Sequence, residues 1–176
     1  MRAVLISIKP KWCELIANGQ KTVEVRKTKP KLETPFKVYI YCTKDEPMYR
    51  SGEKFWCKKT GDFGNGKVIG VFLCDRIDDM RDVDQELTCL TIDEWLKYTD
   101  GHKDIVYGWH ITDLVIFDEP KELSEFSKDK GTEHCGWGEC DLCRHGDYDQ
   151  FTDEWFCRNI ITRPPQSWCY VEEVTR

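Results

Sequence analysis

Apolar and polar residues alternate strictly along residues 22–26, and this pattern predicts a short β-strand. Val23 and Val25 would lie on one face of the strand. The opposite face would carry Thr22, Glu24 and Arg26. A hydroxyl, a carboxylate and a guanidinium in one row fit two situations: a solvated pair on an open sheet face, or the lining of a pocket with Lys21 at its mouth. The alternation alone leaves both open.

The residues before this strand predict a second strand and a helix. The apolar run at residues 3–8 is typical of a buried strand. A helix is expected to begin near Pro10, which is tolerated in a first turn. Its apolar face would consist of Trp12, Leu15 and Ile16, at helical spacing. Gly19 is expected to end the helix in a left-handed conformation.

Further along the chain, the pattern indicates an α+β fold. Strands are predicted at residues 36–43, 67–74 and 105–117, the last broken near Thr112 and Asp113, and a helix at 91–96. Thr91 and Glu94 form a capping box at the start of that helix. Gly70 suggests a bulge or a close backbone approach, of the kind that lets a small barrel close. We therefore predict a single domain over residues 1–176, a small mixed β-barrel with flanking helices.

Charge is distributed unevenly. The net charge is −6, but residues 1–31 hold eight Lys or Arg against two Glu, so they carry +6 and the remainder carries −12. The cluster is either a set of solvated lysines or a local surface for an anionic ligand or a single strand, rather than for broad duplex binding. The sequence has no apolar run long enough for a membrane span and no signal-peptide pattern. We therefore expect a cytoplasmic protein with no membrane partner, and no obligate protein partner is evident.

A cysteine-rich insertion is predicted at residues 131–160. It contains Cys135, Cys140, Cys143 and Cys157, with His134 and His145 as substitute ligands. A Cys-x2-Cys pair brings two sulfurs to one ion, and structural zinc takes four ligands in a tetrahedron. The alternative is a set of free thiols in a flexible loop. We predict structural zinc, which would also order a segment poor in apolar residues, and expect the other cysteines mostly to be small buried apolar residues.

Two motifs resemble a known family. The sequence Ile6-Ser7-Ile8-Lys9-Pro10, followed by Gly19-x-Lys21-x-x-Glu24-x-Arg26, resembles the ASCH domain, a branch of the PUA-like superfamily. Residues 163–171 are similar to the C-terminal strand signature of its bacterial and phage members. The resemblance implies a PUA-like barrel that binds RNA or modified nucleosides in a cleft between the first helix and the barrel.

From this resemblance we predict a nucleic-acid or nucleotide binding module. The candidate ligand-binding residues are Ser7, Lys9, Trp12, Arg26, Tyr107, Trp109 and His110. Lys9, Lys21 and Arg26 would meet phosphate, and Trp12 or Trp109 would stack on a base. Glu24 would accept a hydrogen bond from the polar edge of the base. The glycine between Tyr107 and Trp109 would let a ligand approach, although Trp109 is equally typical of a core residue.

The alternative is a hydrolase acting on a modified nucleoside or RNA, as an amidohydrolase or a ribonuclease. Some small ASCH proteins deacetylate N4-acetylcytidine with a lysine and a threonine from the strand after the first helix, and a glutamate from a later strand. Lys21 matches that lysine, but Glu24 holds the threonine position and Thr22 lies two residues earlier. Residues 68–74 contain no glutamate. In this hypothesis Glu24 is the general base and Lys21 the electrostatic stabiliser, with Thr22 or Ser7 as candidate nucleophile.

Overall fold

The structure is a computed structural model that describes residues 1–44, 65–99, 106–128, 147–149, 154–156 and 161–174. The strands are β1 (Arg2–Ile8), β2 (Val23–Arg26), β3 (Phe36–Cys42), β4 (Val68–Cys74), β5 (Ile77–Asp79), β6 (Tyr107–His110), β7 (Thr112–Lys121), β8 (Asp147–Asp149), β9 (Glu154–Phe156) and β10 (Trp168–Glu172). The α-helices are α1 (Pro10–Ala17) and α2 (Ile92–Thr99). The predicted α+β class is confirmed.

The larger sheet has five strands in the order β10-β1-β3-β4-β7. β1 and β3 run parallel, and the other neighbours are antiparallel. All residues of β1 after Arg2 are buried, which agrees with its nearly continuous apolar sequence. β1 is therefore covered on both faces.

Two apolar clusters cover the two faces of this sheet. On the first, which we call the α1 face, Ile6, Ile40 and Cys42 pack in one cluster with Cys13 and Ile16 of α1. On the second, the Tyr41 face, the cluster includes Leu5, Tyr39, Tyr41, Phe126 and Ile161. Alternation along β3 explains this division, because Cys42 and Tyr41 point to opposite sides of the sheet.

The predicted barrel is wrong in one respect. β1 and β10 pair as neighbours, but β2 belongs to a separate three-stranded sheet in the order β2-β6-β5. Within the described ranges the strands do not close into a barrel. The reason lies in Val23 and Val25, which pack with Met80 and Val106 in a third apolar cluster instead of against β1.

Several local predictions are confirmed. The capping box at α2 is present: Glu94 N donates to Thr91 Oγ1 at 3.2 Å, and Thr91 N donates to Glu94 Oε2 at 3.0 Å. The strand register between β4 and β7 shifts beside Gly70. A side chain at position 70 would lie 2.6 Å from the carbonyl oxygen of Val115, so the close backbone approach requires glycine there.

Some of the predicted cysteine roles fall on residues that the structure describes, and others fall outside them. Cys13, Cys42 and Cys74 are buried, as expected for small apolar residues, and burial raises the pKa of the Cys74 thiol to about 12. Cys89 and Cys169 are only partly buried. The predicted zinc ligands Cys135, Cys140, Cys143 and Cys157, and their substitutes His134 and His145, lie outside the described residues. No helix in the described part of the chain has the length and apolar character of a membrane span.

Candidate nucleotide-binding site

A buried carboxylate between two cations forms the centre of the candidate site. Glu24 is 6% exposed. Its Oε1 lies 3.0 Å from Arg26 Nη2, and its Oε2 lies 3.4 Å from Lys21 Nζ. The polar row predicted from alternation is therefore a desolvated network, in which each charge has a partner. We call Glu24 and Arg26, with Lys21 beside them, the Glu24 row.

Lys21 is held entirely by the protein. Its Nζ donates to the carbonyl oxygens of Val23 at 2.8 Å and Thr88 at 2.7 Å, in addition to the ion pair with Glu24. An ammonium group has three N–H donors, and these carbonyls use two of them. The expectation that Lys21 lies at the mouth of a pocket is wrong, because the residue is 3% exposed. Lys21 therefore has a structural role, because its hydrogen bonds connect β2 to the turn at Thr88.

Arg26 connects the network to β1 and keeps one donor without an acceptor. Its Nη2 donates to the carbonyl oxygen of Ser7 at 2.7 Å and forms the ion pair with Glu24. Its Nε is buried and has no hydrogen-bond partner within the described residues. An N–H left unpaired in this way costs about 1–3 kcal/mol. An acceptor from a ligand or from water would recover that cost.

A second unpaired donor lies on the same sheet face. Trp109 pairs directly with Glu24 across the β2–β6 ladder, so the two side chains share a face with Arg26. Trp109 is fully buried, and its Nε1 has no partner in the described part of the structure. Two N–H donors therefore accompany the Glu24 carboxylate. This is the polar pattern of a site that takes an acceptor oxygen.

Predicted site residues on β1 and α1 are placed as follows. Ser7 is 8% exposed, and its hydroxyl donates to the carbonyl oxygen of Pro165 at 2.6 Å. Lys9 is exposed, and its carbonyl accepts from the first turn of α1. The ring of Trp12 is half-buried near two ammonium groups, with Lys11 Nζ 4.5 Å and Lys21 Nζ 5.3 Å from its centroid.

The predicted residues on β6 divide between two environments. Tyr107 is half-buried at the edge of the site, where it pairs in register with Arg26. His110 belongs elsewhere: alternation places it on the opposite face from Trp109, and its Nε2 lies 2.9 Å from Asp78 Oδ2. The structure therefore does not bring His110 to the Glu24 row.

The space at Gly108 is filled by protein rather than left open for a ligand. A Cβ at this position would lie 2.8 Å from Met80 Sδ and 2.9 Å from Val23 Cγ1. Gly108 thus allows the third apolar cluster to pack against β6. Thr22, the other predicted catalytic residue, is half-buried just before β2, and its amide donates to the carbonyl of Leu87.

Two lysine–aromatic pairs near β2 were not expected from the sequence. Lys29 Nζ lies 5.0 Å from the centroid of the Tyr107 ring, and Lys27 Nζ lies 5.5 Å from that of Tyr98. Both lysines belong to the basic cluster of residues 1–31, which is the signal that could have found them. The pairing with Tyr98 of α2 has no local sequence signal. Cations alternating with aromatic rings are typical of surfaces that bind single-stranded nucleic acids.

The fold and the sequence together define the class of protein. The sequence matches the family model of the ASCH domain over residues 6–166. The chain belongs to the ASCH domain family, a group of PUA-like modules that generally bind RNA. No curated protein matches the chain.

Solved structures of ASCH proteins from Zymomonas mobilis share the fold. A Ser-to-Ala variant of ZmASCH has 17% identity and a TM-score of 0.58, covering 97% of this chain and 89% of that one. ASCH from the same organism has 20% identity and a TM-score of 0.51, covering 69% of this chain and 73% of its own. A Tyr-to-Phe variant has 19% identity and a TM-score of 0.51, covering 69% and 76%. These similarities concern the fold.

Proposed function

We propose that this protein is a binding module for single-stranded RNA or a modified nucleoside, and that the base is held beside the Glu24 row. The observation that carries the proposal is the pair of buried donors without acceptors, Arg26 Nε and Trp109 Nε1. A carbonyl oxygen of a base would accept from such donors. Glu24, on the same face, would accept from an amino or imino group of the same edge.

The charge around the site supports an anionic strand. Residues 1–31 carry +6 on a chain of −6. Lys29 lies over the ring of Tyr107, which shares the face of the Glu24 row, so phosphate contacts and base stacking would combine there. In this proposal Lys9 contributes a further exposed cation, and Trp12 and Tyr107 supply ring surface beside the Glu24 row.

Binding accounts for the geometry better than hydrolysis does. A stabiliser of developing charge needs a donor directed at the substrate. Lys21 is buried, donates to the carbonyls of Val23 and Thr88, and forms an ion pair with Glu24. The Ser7 hydroxyl, a candidate nucleophile, is engaged with the carbonyl of Pro165. In this proposal the Glu24 row holds Arg26 in place, and Arg26 donates a hydrogen bond to the ligand.

Arg26→Lys tests this proposal, because lysine keeps a positive charge near Glu24 and removes the Nε donor. We expect the affinity for a fluorescein-labelled, mixed-sequence single-stranded RNA of about ten nucleotides to fall by about tenfold or more, as for a lost hydrogen bond from a charged donor. Fluorescence anisotropy at low and moderate salt measures this. Urea unfolding of the same variant separates a loss of binding from a loss of folding.

Arg76→Lys is the matched control. Arg76 is an exposed arginine that pairs with Asp78 at 2.8 Å, away from the Glu24 row. Its replacement should leave the RNA affinity within about twofold. Equal losses in the two variants would show only general attraction to a basic protein, and absence of binding by the wild type at low salt would contradict the proposal. Cleavage or deacylation of the probe, visible by mass spectrometry, would favour the hydrolase hypothesis instead.

We further propose that Cys135, Cys140, Cys143 and Cys157 hold one structural zinc ion, with His134 or His145 able to replace one thiolate. The support is the sequence spacing, since Cys-x4-Cys-x2-Cys followed by a distant cysteine supplies the four ligands of a closed tetrahedral site. A closed site has no open position for a substrate. The metal would therefore contribute folding energy to the insertion rather than chemistry.

Elemental analysis of the purified protein should find about one zinc per chain. Cys140→Ser should reduce this content, whereas Cys74→Ser, which changes a thiol buried in the core, should not. The proposal fails if metal-replete expression yields protein with less than about a tenth of an equivalent, or if a disulfide map pairs the four cysteines with one another.

A further inference from the structure

A cavity on the Tyr41 face is separate from the Glu24 row. It has a volume of about 810 Å³, within the usual range of small-molecule sites. It lies at one end of the five-stranded sheet, where Ser7 and Tyr41 are the last residues but one of β1 and β3. The segment before β10, with Pro164 and Gln166, forms part of the wall. This segment belongs to the signature at residues 163–171, which the proposed function does not use.

The wall combines an apolar surface with polar side chains that have no hydrogen-bond partner among the described residues. The apolar part consists of Leu123, Ile161, Pro164 and Pro165. The polar part includes Tyr41, Thr43, Ser124, Thr162 and Gln166, whose side chains have no hydrogen-bond partner among the described residues. Burial raises the pKa of the Tyr41 phenol, so its hydroxyl remains a donor at neutral pH. The wall can therefore bind both a flat ring and several hydroxyl or carbonyl groups.

Two charged side chains line the cavity, and they differ in whether they have an ion-pair partner. Glu122 pairs with Lys67 at 3.1 Å. Lys44 has no ion-pair partner within the described ranges, and it is exposed at the cavity. A turn places it there: Gly66 has φ +79°, and a Cβ at that position would overlap the Lys44 side chain. The cavity therefore presents one cation for an anionic group.

We propose that this cavity binds a nucleoside monophosphate unit. The base would lie against the proline and leucine surface, the ribose hydroxyls would meet the hydroxyl and amide groups, and the phosphate would meet Lys44. Inorganic phosphate or a small dicarboxylate would leave the apolar wall unused. A fatty acid would leave the polar groups unpaired, and a triphosphate would bring more charge than one lysine balances. The unit is either a free mononucleotide or one residue of an RNA strand.

Calorimetric titration of the full chain tests this inference with four probes: adenosine 5′-monophosphate, uridine 5′-monophosphate, adenosine and inorganic phosphate. We expect at least one monophosphate to bind more tightly than adenosine, and phosphate alone to bind least. Lys44→Met should weaken the monophosphate about tenfold and leave adenosine within about twofold. Tyr41→Phe, which removes one hydroxyl, should weaken both, and urea unfolding will show that each variant is folded.

A matched variant and a competition experiment separate this cavity from the proposed RNA site. Lys121→Met removes a partly buried lysine that pairs with Glu125 outside the cavity, and it should not change monophosphate binding. The RNA assay of Arg26→Lys and the monophosphate assay of Lys44→Met address different residues, so this inference and the proposed function fail independently. Displacement of the monophosphate by single-stranded RNA would assign the site to a strand residue, and lack of displacement to a free nucleotide. Absence of monophosphate binding, or equal loss in Lys44→Met and Lys121→Met, would overturn the inference.

Discussion

Glu24→Gln should lower the free energy of unfolding by about 3–5 kcal/mol, although it changes no side-chain volume. Glu24 is 6% exposed, and Lys21 on one side of it is 3% exposed. The substitution removes the carboxylate that neutralises Lys21 and Arg26, which lie 3.4 Å and 3.0 Å away. Two positive charges then remain in a poorly solvated environment. The cost therefore comes from the cations left behind rather than from the intrinsic strength of the ion pair.

Glu125→Gln is the matched control for this substitution. Glu125 also pairs with a lysine, Lys121, at 3.1 Å, but the two side chains are 46% and 35% exposed and remain in contact with solvent. Exposed pairs contribute about 0–1 kcal/mol, so this variant should unfold close to the wild type. Urea titration of the three proteins measures the difference. If Glu24→Gln lowered the free energy of unfolding no more than Glu125→Gln does, the Glu24 row would be solvated. Glu24 would then not fix the position of Arg26.

Local pattern was sufficient to predict β2 and its two faces. Alternation over residues 22–26 correctly separated the valines from Glu24 and Arg26, because the valines have to reach an apolar cluster. The same pattern could not tell whether the polar face was solvated. That depends on the carbonyls of Ser7 and Thr88, and Thr88 is 67 residues away from Lys21 in the sequence. No local signal marks a backbone carbonyl as a future acceptor.

The error in the barrel prediction has a similar origin. Most of the strands were expected, although β5, β8 and β9 were not. Which strands would pair depended on contacts between distant segments. β2 pairs with β6 rather than with β1, since Met80 and Val106 complete the cluster that its valines require. Gly108 shows the same dependence. Its position between two aromatic residues suggested room for a ligand, whereas Met80 and Val23 occupy that space.

Trp109 illustrates how a residue can have both a structural and a functional aspect. The sequence left open whether it is a core residue or a stacking platform, and the structure buries the ring completely. A ring in that position does not stack on a base at the surface. Its unpaired Nε1 is the part that bears on the proposed site.

Trp109→Ala should lower the free energy of unfolding by about 3–5 kcal/mol, as expected for removal of a large buried aromatic side chain. Trp109 belongs to the three-stranded sheet, but its ring packs against the five-stranded one. The ring centroids of Phe36 in β3 and Trp168 in β10 lie 6.1 Å and 5.9 Å from it. The substitution would therefore leave a cavity between the two sheets, at the point where the Glu24 row is also held.

Trp95→Ala provides the comparison, because Trp95 of α2 is only half-buried against the third apolar cluster. Its loss should cost about 1–2 kcal/mol. Trp109→Phe, which keeps a ring between Phe36 and Trp168, should fall between the wild type and Trp109→Ala. Urea unfolding ranks the three variants. Equal costs for the two alanine variants would mean that Trp109 does not join the sheets. A large cost for Trp109→Ala accompanied by full loss of RNA binding in the folded Trp109→Phe protein would show that the indole N–H serves the ligand while the ring serves the fold.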